Sequence, residues 1–318
     1  MSDRLKLPPE RDFGFYQRRK HDNWRAVEPP TPALEARVTD SHAHIHMLPD
    51  PAWELARCAA NGVDFVCEIC DPSEDGMRPF DELDAWLWQA SDMLESEGKD
   101  PQAPTVRIAA GVHPHNAKLY SAEIERMLLD QLDDSRVVAL GEVGLDYHYD
   151  LSPRDVQRDV FRRQIRLAKE AGLPLALHLR GGQDAESDNA HREAFEILGE
   201  EGALGPGTLL HCCALPPDEL MPWVQADCYI AYGGALTFKN ADAAREGAKL
   251  VPENRVLTET DAPYMAPEPM RGAACTPAHV VFTAAVLADV RGIAPGEGRR
   301  GFLEQVRANT LAFYRVGI

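Results

Sequence analysis

Residues 137–180 have the sequence VVALGEVGLDYHYDLSPRDVQRDVFRRQIRLAKEAGLPLALHLR. The first part, 137–147, and the last, 173–180, are apolar runs of the length and composition of buried strands. Between them, residues 155–172 carry apolar side chains at helical spacing and end at Gly172, a common signal for the end of a helix. The segment therefore predicts a strand, a helix and a second strand. A helical connection of this length is typical of two parallel strands.

The same alternation recurs from residue 38 to the end of the chain. Eight apolar runs cover residues 38–44, 63–70, 106–115, 137–147, 173–180, 207–214, 228–234 and 255–264. Eight strand–helix units predict an α/β fold, a TIM (β/α)₈ barrel. An open doubly wound sheet is disfavoured because no glycine-rich phosphate turn follows the first run. We expect residues 38–318 to form a single barrel domain and residues 1–37, which are slightly basic, to form an N-terminal extension that either packs on the barrel or stays mobile.

Composition limits the possible partners and location. The net charge of −18 argues against a broad basic groove for long duplex nucleic acid. An oligonucleotide end stays possible, since bound divalent cations reverse the local potential. The seven cysteines are odd in number, and no apolar leader or membrane-spanning stretch of about 18 residues is present. These features predict a cytoplasmic protein without a membrane segment, and nothing in the sequence indicates an obligate protein partner.

Metal-binding residue types lie at the ends of five of the eight runs. They are His42, His44, Glu142, His178, His211 and Asp261. Each alone is explained equally well as a hydrogen-bonded polar residue, but the C-terminal ends of barrel strands converge on one face. Together they predict a catalytic centre with divalent metal ions, of which zinc is favoured over manganese, nickel or magnesium by the imidazole content. Asp40, just before the histidines, is expected to orient an imidazole ring.

Several blocks of the chain resemble the TatD family of the amidohydrolase superfamily. They are DSHAH (40–44), GVHPH (111–115), GEVGLDY (141–147), PLALHLR (174–180), HCC (211–213), YGGALTFKN (232–240) and ETDAPYMAP (259–267). The resemblance implies a TIM barrel with two metal ions that hydrolyses phosphodiesters, typically DNA from the 3′ end. The expected substrate is then single-stranded DNA or an oligonucleotide end.

The resemblance also implies roles for individual residues. His42, His44 and Asp261 would hold one ion, Glu142 would bridge, and His178 and His211 would hold the second. Asp261 would in addition deprotonate the attacking water, as the catalytic residue. His113 and Arg180 match positions near the substrate, and the guanidinium of Arg180 suits a phosphate.

Three loops differ from the family pattern and leave the scissile bond open. They are GGQDAESD (181–188), HCCALP (211–216) and RGAACTP (271–277). An alternative substrate is a carboxylic ester, a lactone or an aminoacyl-tRNA bond, and a third possibility is a metal-binding scaffold without turnover. The CEIC sequence (67–70) has redox-motif spacing but lies in a strand run, so these cysteines are predicted to be buried in the core.

Overall fold

A computed structural model of the chain describes residues 12–18, 23–30, 35–183 and 189–317. Within these ranges the strands are β1 (Phe15–Arg18), β2 (Trp24–Val27), β3 (Val38–Ala43), β4 (Val63–Cys70), β5 (Thr105–Ala110), β6 (Val137–Asp146), β7 (Leu175–Arg180), β8 (Thr208–Leu210), β9 (Tyr229–Tyr232) and β10 (Val256–Thr258). The helices are α1 (Pro51–Ala60), α2 (Arg78–Ser96), α3 (Ala122–Leu132), α4 (Arg154–Ala171), α5 (Ala190–Glu200), α6 (Pro217–Gln225), α7 (Asp242–Leu250), α8 (Val280–Val290) and α9 (Glu297–Phe313).

Strands β3 to β10 form one parallel sheet in chain order. The sheet curves round until its two outer strands meet: the amide of His44 donates to the carbonyl of Ala262 (2.8 Å), and the amide of Asp261 donates to the carbonyl of His42 (2.9 Å). Every residue of β4 is buried, as expected for a parallel strand covered on both faces. The TIM barrel predicted from the sequence is confirmed.

The predicted helices are present, with small differences at their ends. Helix α4 ends at Ala171 and is followed by the capping residue Gly172, whose φ of 67° is left-handed and favours glycine. Helix α3 begins after Ser121, whose side chain accepts a hydrogen bond from the amide of Ile124. In the described residues no helix is long and apolar enough to cross a membrane.

Part of the N-terminal extension packs on the outside of the barrel. Strands β1 and β2 form an antiparallel hairpin, and Phe13 and Phe15 are buried. The ring of Phe15 contacts Phe282 of α8 (5.0 Å between centroids) and covers the guanidinium of Arg57 in α1 (4.8 Å). Residues 1–11, 19–22 and 31–34 of the predicted extension, and residues 184–188, lie outside the described residues. Cys67 and Cys70 are fully buried in β4, as predicted.

Candidate metal centre

The barrel brings all six predicted ligands to the C-terminal ends of its strands. His42 lies in β3, Glu142 in β6 and His178 in β7. His44, His211 and Asp261 lie just beyond the ends of β3, β8 and β10. Gly144 lets β6 approach β7 here, because a Cβ at this position would overlap the carbonyl oxygen of His178 and its φ is 147°.

One oxygen of Glu142 faces the first pair of histidines. Its Oε2 lies 3.4 Å from Nε2 of His42 and 3.8 Å from Nε2 of His44. The Oδ1 of Asp261 completes this group at 3.9 Å and 3.6 Å from the same two nitrogens. Asp261 has a left-handed φ of 57°, so the chain turns sharply where it delivers this carboxylate.

The other oxygen of Glu142 faces the second pair of histidines. Its Oε1 lies 2.6 Å from Nδ1 of His178 and 3.3 Å from Nε2 of His211. The rings of His42 and His211 are stacked at 3.7 Å between centroids. The group around Oε2 of Glu142 and the group around Oε1 are therefore in direct contact. Glu142 therefore stands between two pairs of imidazole rings.

These residues fit divalent cations. His42 is fully buried, and in the described part of the chain neither of its ring nitrogens has a hydrogen-bond partner. A buried polar atom without a partner is unfavourable, and a cation at Nε2 would remove that cost for one of the two nitrogens. Four ligands about 2.1 Å from a zinc ion lie about 3.4 Å apart, which is close to the separations of Glu142 from His42 (3.4 Å) and from His211 (3.3 Å). Imidazole and carboxylate donors also suit such ions chemically.

Two carboxylates contact the ring nitrogens of His178 and His211 that face away from Glu142. Oδ2 of Asp146 lies 3.1 Å from Nε2 of His178 and, because a carboxylate only accepts, keeps a proton on that nitrogen, which leaves Nδ1 as the atom that would bind a cation. Oε1 of Glu259 lies at an ion-pair distance of 3.1 Å from Nδ1 of His211, on the side away from Glu142.

The expectation that Asp40 orients an imidazole is wrong. Its carboxylate accepts hydrogen bonds from the backbone amides of His42 (3.2 Å) and Thr260 (2.9 Å) and pairs with the Thr260 hydroxyl (2.5 Å). Asp40 instead ties β3 to the segment that follows β10, because its side chain points across the seam of the barrel.

Electrostatics concentrate negative charge at Glu142. Burial alone would raise the pKa of Glu142, but His42, His211 and His178 lower it well below its usual range. Burial disfavours protonated His211, yet Glu259 and Glu142 raise its pKa to about 10. Protons on these imidazoles occupy the positions that a divalent cation would take, so metal binding and proton release are coupled.

A cavity of about 370 Å³ opens above the centre. Both residues predicted to contact the substrate line it, as do Tyr149 and Tyr264. His113 holds its Nε2 3.8 Å from Oε1 of Glu142, and the guanidinium of Arg180 lies over the ring of Tyr149, 4.7 Å from its centroid. A second cavity of about 330 Å³ lies where strands begin, beside Val63 and Thr105, and its described lining includes no histidine or cysteine.

Sequence reasoning missed the roles of several residues near the site. Asp146 follows Glu142 at an even spacing in the same strand, which was a usable signal that both point to one side. Glu259 lies two residues before Asp261, in the same ETDAPYMAP block (259–267). His46 lies between Glu68 and Asp75, at 2.5 Å and 3.0 Å, and no local pattern indicates that grouping.

Comparisons with known proteins agree with this architecture. The family model described as TatD-related DNase matches residues 39–315. An uncharacterized metal-dependent hydrolase of Escherichia coli K12, YcfH, is 36% identical over 267 residues, which cover 82% of this chain and 90% of the relative. The 3′-5′ ssDNA/RNA exonuclease TatD of Enterobacter lignolyticus is 35% identical over 162 residues, 51% of this chain and 59% of the relative.

A solved structure has the same overall fold. The crystal structure of YJJV, a TatD homologue from Escherichia coli K12, superposes with a TM-score of 0.73 at 25% identity, covering 89% of this chain and 100% of that chain. The family model covers most of the sequence, and the alignment to YcfH extends over most of both proteins. The chain therefore belongs to the TatD-related DNase family of metal-dependent hydrolases.

Proposed function

We propose that the protein is a phosphodiesterase with two divalent metal ions that removes nucleotides from the 3′ end of single-stranded DNA. The observation that carries this proposal is the position of Glu142, whose two oxygens face two separate groups of ligands. Two cations bridged by one carboxylate are typical of enzymes that cleave phosphodiesters. The name of the Enterobacter lignolyticus relative, a ssDNA/RNA exonuclease, supports a nucleic-acid substrate.

The residues of the site have different roles in the proposed reaction. Divalent cations held here would supply Lewis acidity, which makes water nucleophilic near neutral pH and offsets charge that develops on the phosphate. Asp261 accepts the proton of the attacking water. Burial alone would raise its pKa, but its contact with His44 and the charges of nearby imidazoles lower the pKa, so the carboxylate is ionised and able to act as a base.

Side chains in the cavity wall bind the substrate. Arg180 offers planar N–H donors that match two oxygens of a phosphate. Burial lowers the pKa of His113 well below its usual range, so this residue meets the substrate as a neutral imidazole. A cavity of about 370 Å³ is at the lower end of the size range of small-ligand sites. This size favours a single terminal unit of the substrate over a duplex segment.

A second candidate function keeps the metal centre and changes the bond to a carboxylic ester, a lactone or an aminoacyl linkage. It is supported by the charge of the cavity wall, where Asp71, Glu74 and Asp75 stand against a single described arginine. Parallel assays of the metal-loaded protein on phosphodiesters and on carboxylic esters separate the two functions. Turnover of esters alone would replace the first proposal.

The proposal is tested by replacing one ligand of the first group. We expect His42→Ala to lower the hydrolysis of bis(p-nitrophenyl) phosphate at least about 100-fold, because loss of a metal ligand should exceed the effect of losing a residue that only orients one. Bound metal, measured by atomic emission, should fall below two ions per chain. The control is Arg78→Ala, which changes an exposed residue of α2 that does not line the cavity. A His42→Ala protein with wild-type turnover would overturn the proposal.

A further inference from the structure

The register of β6 and β7 places Asp146 directly beside Arg180. The amide of Tyr147 also donates to the carbonyl of Arg180 (2.8 Å), which fixes the two strand ends together. A carboxylate and a guanidinium at adjacent positions ordinarily form a bidentate ion pair. That pair is absent here, although both side chains belong to the described residues.

The ion pair is absent because both oxygens of the Asp146 carboxylate already have other hydrogen-bond partners. Its Oδ2 lies 2.8 Å from Nε2 of His115 and 3.1 Å from Nε2 of His178. Its Oδ1 accepts the backbone amides of His148 (2.9 Å) and Tyr149 (2.8 Å). Asp146 is completely buried, so these four contacts leave no oxygen for a fifth donor. Within the described parts of the chain, the guanidinium of Arg180 makes no hydrogen bond or ion pair.

The same hydrogen bonds place an aromatic ring against Arg180. By accepting the amides of the residues two and three positions further along, Asp146 turns the chain back on itself after β6. The ring of Tyr149 then lies 4.7 Å from Cζ of Arg180. The imidazoles of His115 and His148 meet this ring nearly perpendicularly, at 89° and 86°, and limit its movement.

We propose that Tyr149 is a positioning residue that holds the Arg180 guanidinium at the mouth of the metal centre, ready for an anionic group of the substrate. A ring that contacts the flat face of a guanidinium leaves all its in-plane N–H donors free, whereas an ion pair with Asp146 would consume them. Tyr149 and Arg180 both line the cavity, together with Glu142 and Asp261. The inference rests on the proposed function, since it assigns the anionic group to a phosphate.

A double-mutant cycle on the metal-loaded protein tests this role. In the wild-type background we expect Tyr149→Ala to raise KM for bis(p-nitrophenyl) phosphate, and the inhibition constant of inorganic phosphate, about two- to fivefold, the effect of losing an exposed cation–π contact. The kcat should change less than about twofold, since Tyr149 stabilises a binding group rather than the reacting atoms. Tyr149→Phe should retain wild-type values because the ring, and not the hydroxyl, contacts Arg180. In an Arg180→Ala background, Tyr149→Ala should have no further effect.

Three results would overturn the inference: an additive effect in the double variant, an equal defect in Tyr149→Phe, or no effect of Tyr149→Ala. The control is Leu151→Ala, an exposed side chain of the same loop between β6 and α4, which should leave both constants unchanged. If the wild-type protein hydrolyses no phosphodiester, the proposed function fails separately. The inference is then decided by calorimetric titration of inorganic phosphate into the same metal-loaded variants, and a wild-type protein that binds no phosphate would overturn it.

Discussion

His46 lies between the buried carboxylate of Glu68 and the partly buried carboxylate of Asp75, which come from different segments of the chain. Its Nδ1 is 2.5 Å from Glu68 in β4, and its Nε2 is 3.0 Å from Asp75 in the loop that follows. Glu68 also accepts the backbone amide of Ile45 at 2.6 Å. Burial disfavours the charged imidazole, but hydrogen bonds to Asp75 and Glu68 raise the pKa of His46 to about 10. The charged ring therefore joins a strand end to a loop of the cavity wall.

This arrangement predicts a pH-dependent contribution to stability. Because the pKa of His46 is higher in the folded protein than in the unfolded one, its contribution is complete below about pH 6.5 and is lost as the pH rises through about 10. We expect His46→Gln to lower the free energy of unfolding by about 3–5 kcal/mol at pH 6, since the two carboxylates lose their charged partner. The difference from wild type should shrink toward pH 10, as measured by urea denaturation in chelator-containing buffers.

A control separates this effect from general loss of charge. Arg78→Gln removes an exposed helical ion pair with Glu82 and should change the free energy of unfolding by less than about 1 kcal/mol. A His46→Gln difference that is the same at every pH would contradict the assignment of a charged imidazole.

At the same scale, the clustering of the six candidate ligands could be predicted from the sequence, and the residues that support them mostly could not. His42 and His178 stand close to where apolar runs become polar, and that pattern is visible along the chain, whereas Glu142 lies inside β6 with four residues of the strand after it. The pairing of His46 with Glu68 depends on the register between β3 and β4, in which Ala43 lies opposite Glu68. Sequence does not give such a register, because many alignments of two apolar strands bury similar area.

Among the elements, the eight barrel strands were predicted and their ends were less certain. The run at 255–264 continues well past β10, which ends at Thr258. The segment still pairs with β3 at Asp261, whose amide donates to the carbonyl of His42, and the chain turns out of the barrel at this residue because its φ of 57° is left-handed. Aspartate tolerates a left-handed φ, but most aspartates do not adopt one, so the sequence alone could not locate the turn. The hairpin of β1 and β2 could not be predicted from the sequence either, because strands of four residues are too short to show a clear alternation of apolar and polar side chains.

The hairpin nevertheless contributes to stability through one buried ring. Phe15 is only 2% exposed and packs on Phe282 and Arg57. We expect Phe15→Ala to lower the free energy of unfolding by about 3 kcal/mol, from lost apolar burial and the cavity left behind. Urea denaturation measures this loss, and the metal content should stay at the wild-type value because the hairpin lies outside the barrel.

The matched control in the hairpin is Arg25→Ala in β2, whose side chain is exposed. It should change the free energy of unfolding by less than about 0.5 kcal/mol. Equal stability of the Phe15→Ala and Arg25→Ala proteins would show that the hairpin does not stabilise the barrel.

For the whole molecule, charge limits how the substrate is held. The chain carries a net charge of −18, and Arg180 is the one lysine or arginine among the described residues that line the cavity. Three carboxylates, Asp71, Glu74 and Asp75, stand in the same wall. A long polyanion would gain little from contacts beyond the metal centre, because the surrounding potential repels its other phosphates.

This distribution of charge predicts that the affinity for single-stranded DNA depends only weakly on the salt concentration and on the length of the DNA. A protein that contacts Z phosphates of a single strand shows a slope of about −0.7Z when the logarithm of affinity is plotted against the logarithm of salt concentration. With one or two phosphates engaged, we expect a slope of about −1 between 50 and 200 mM NaCl at constant divalent metal. The KM per 3′ end should be similar for oligonucleotides of four and of forty residues, as followed by release of mononucleotide. A slope steeper than about −4, or a KM that falls sharply with length, would contradict a site confined to the terminal phosphate and would require a basic track elsewhere on the molecule.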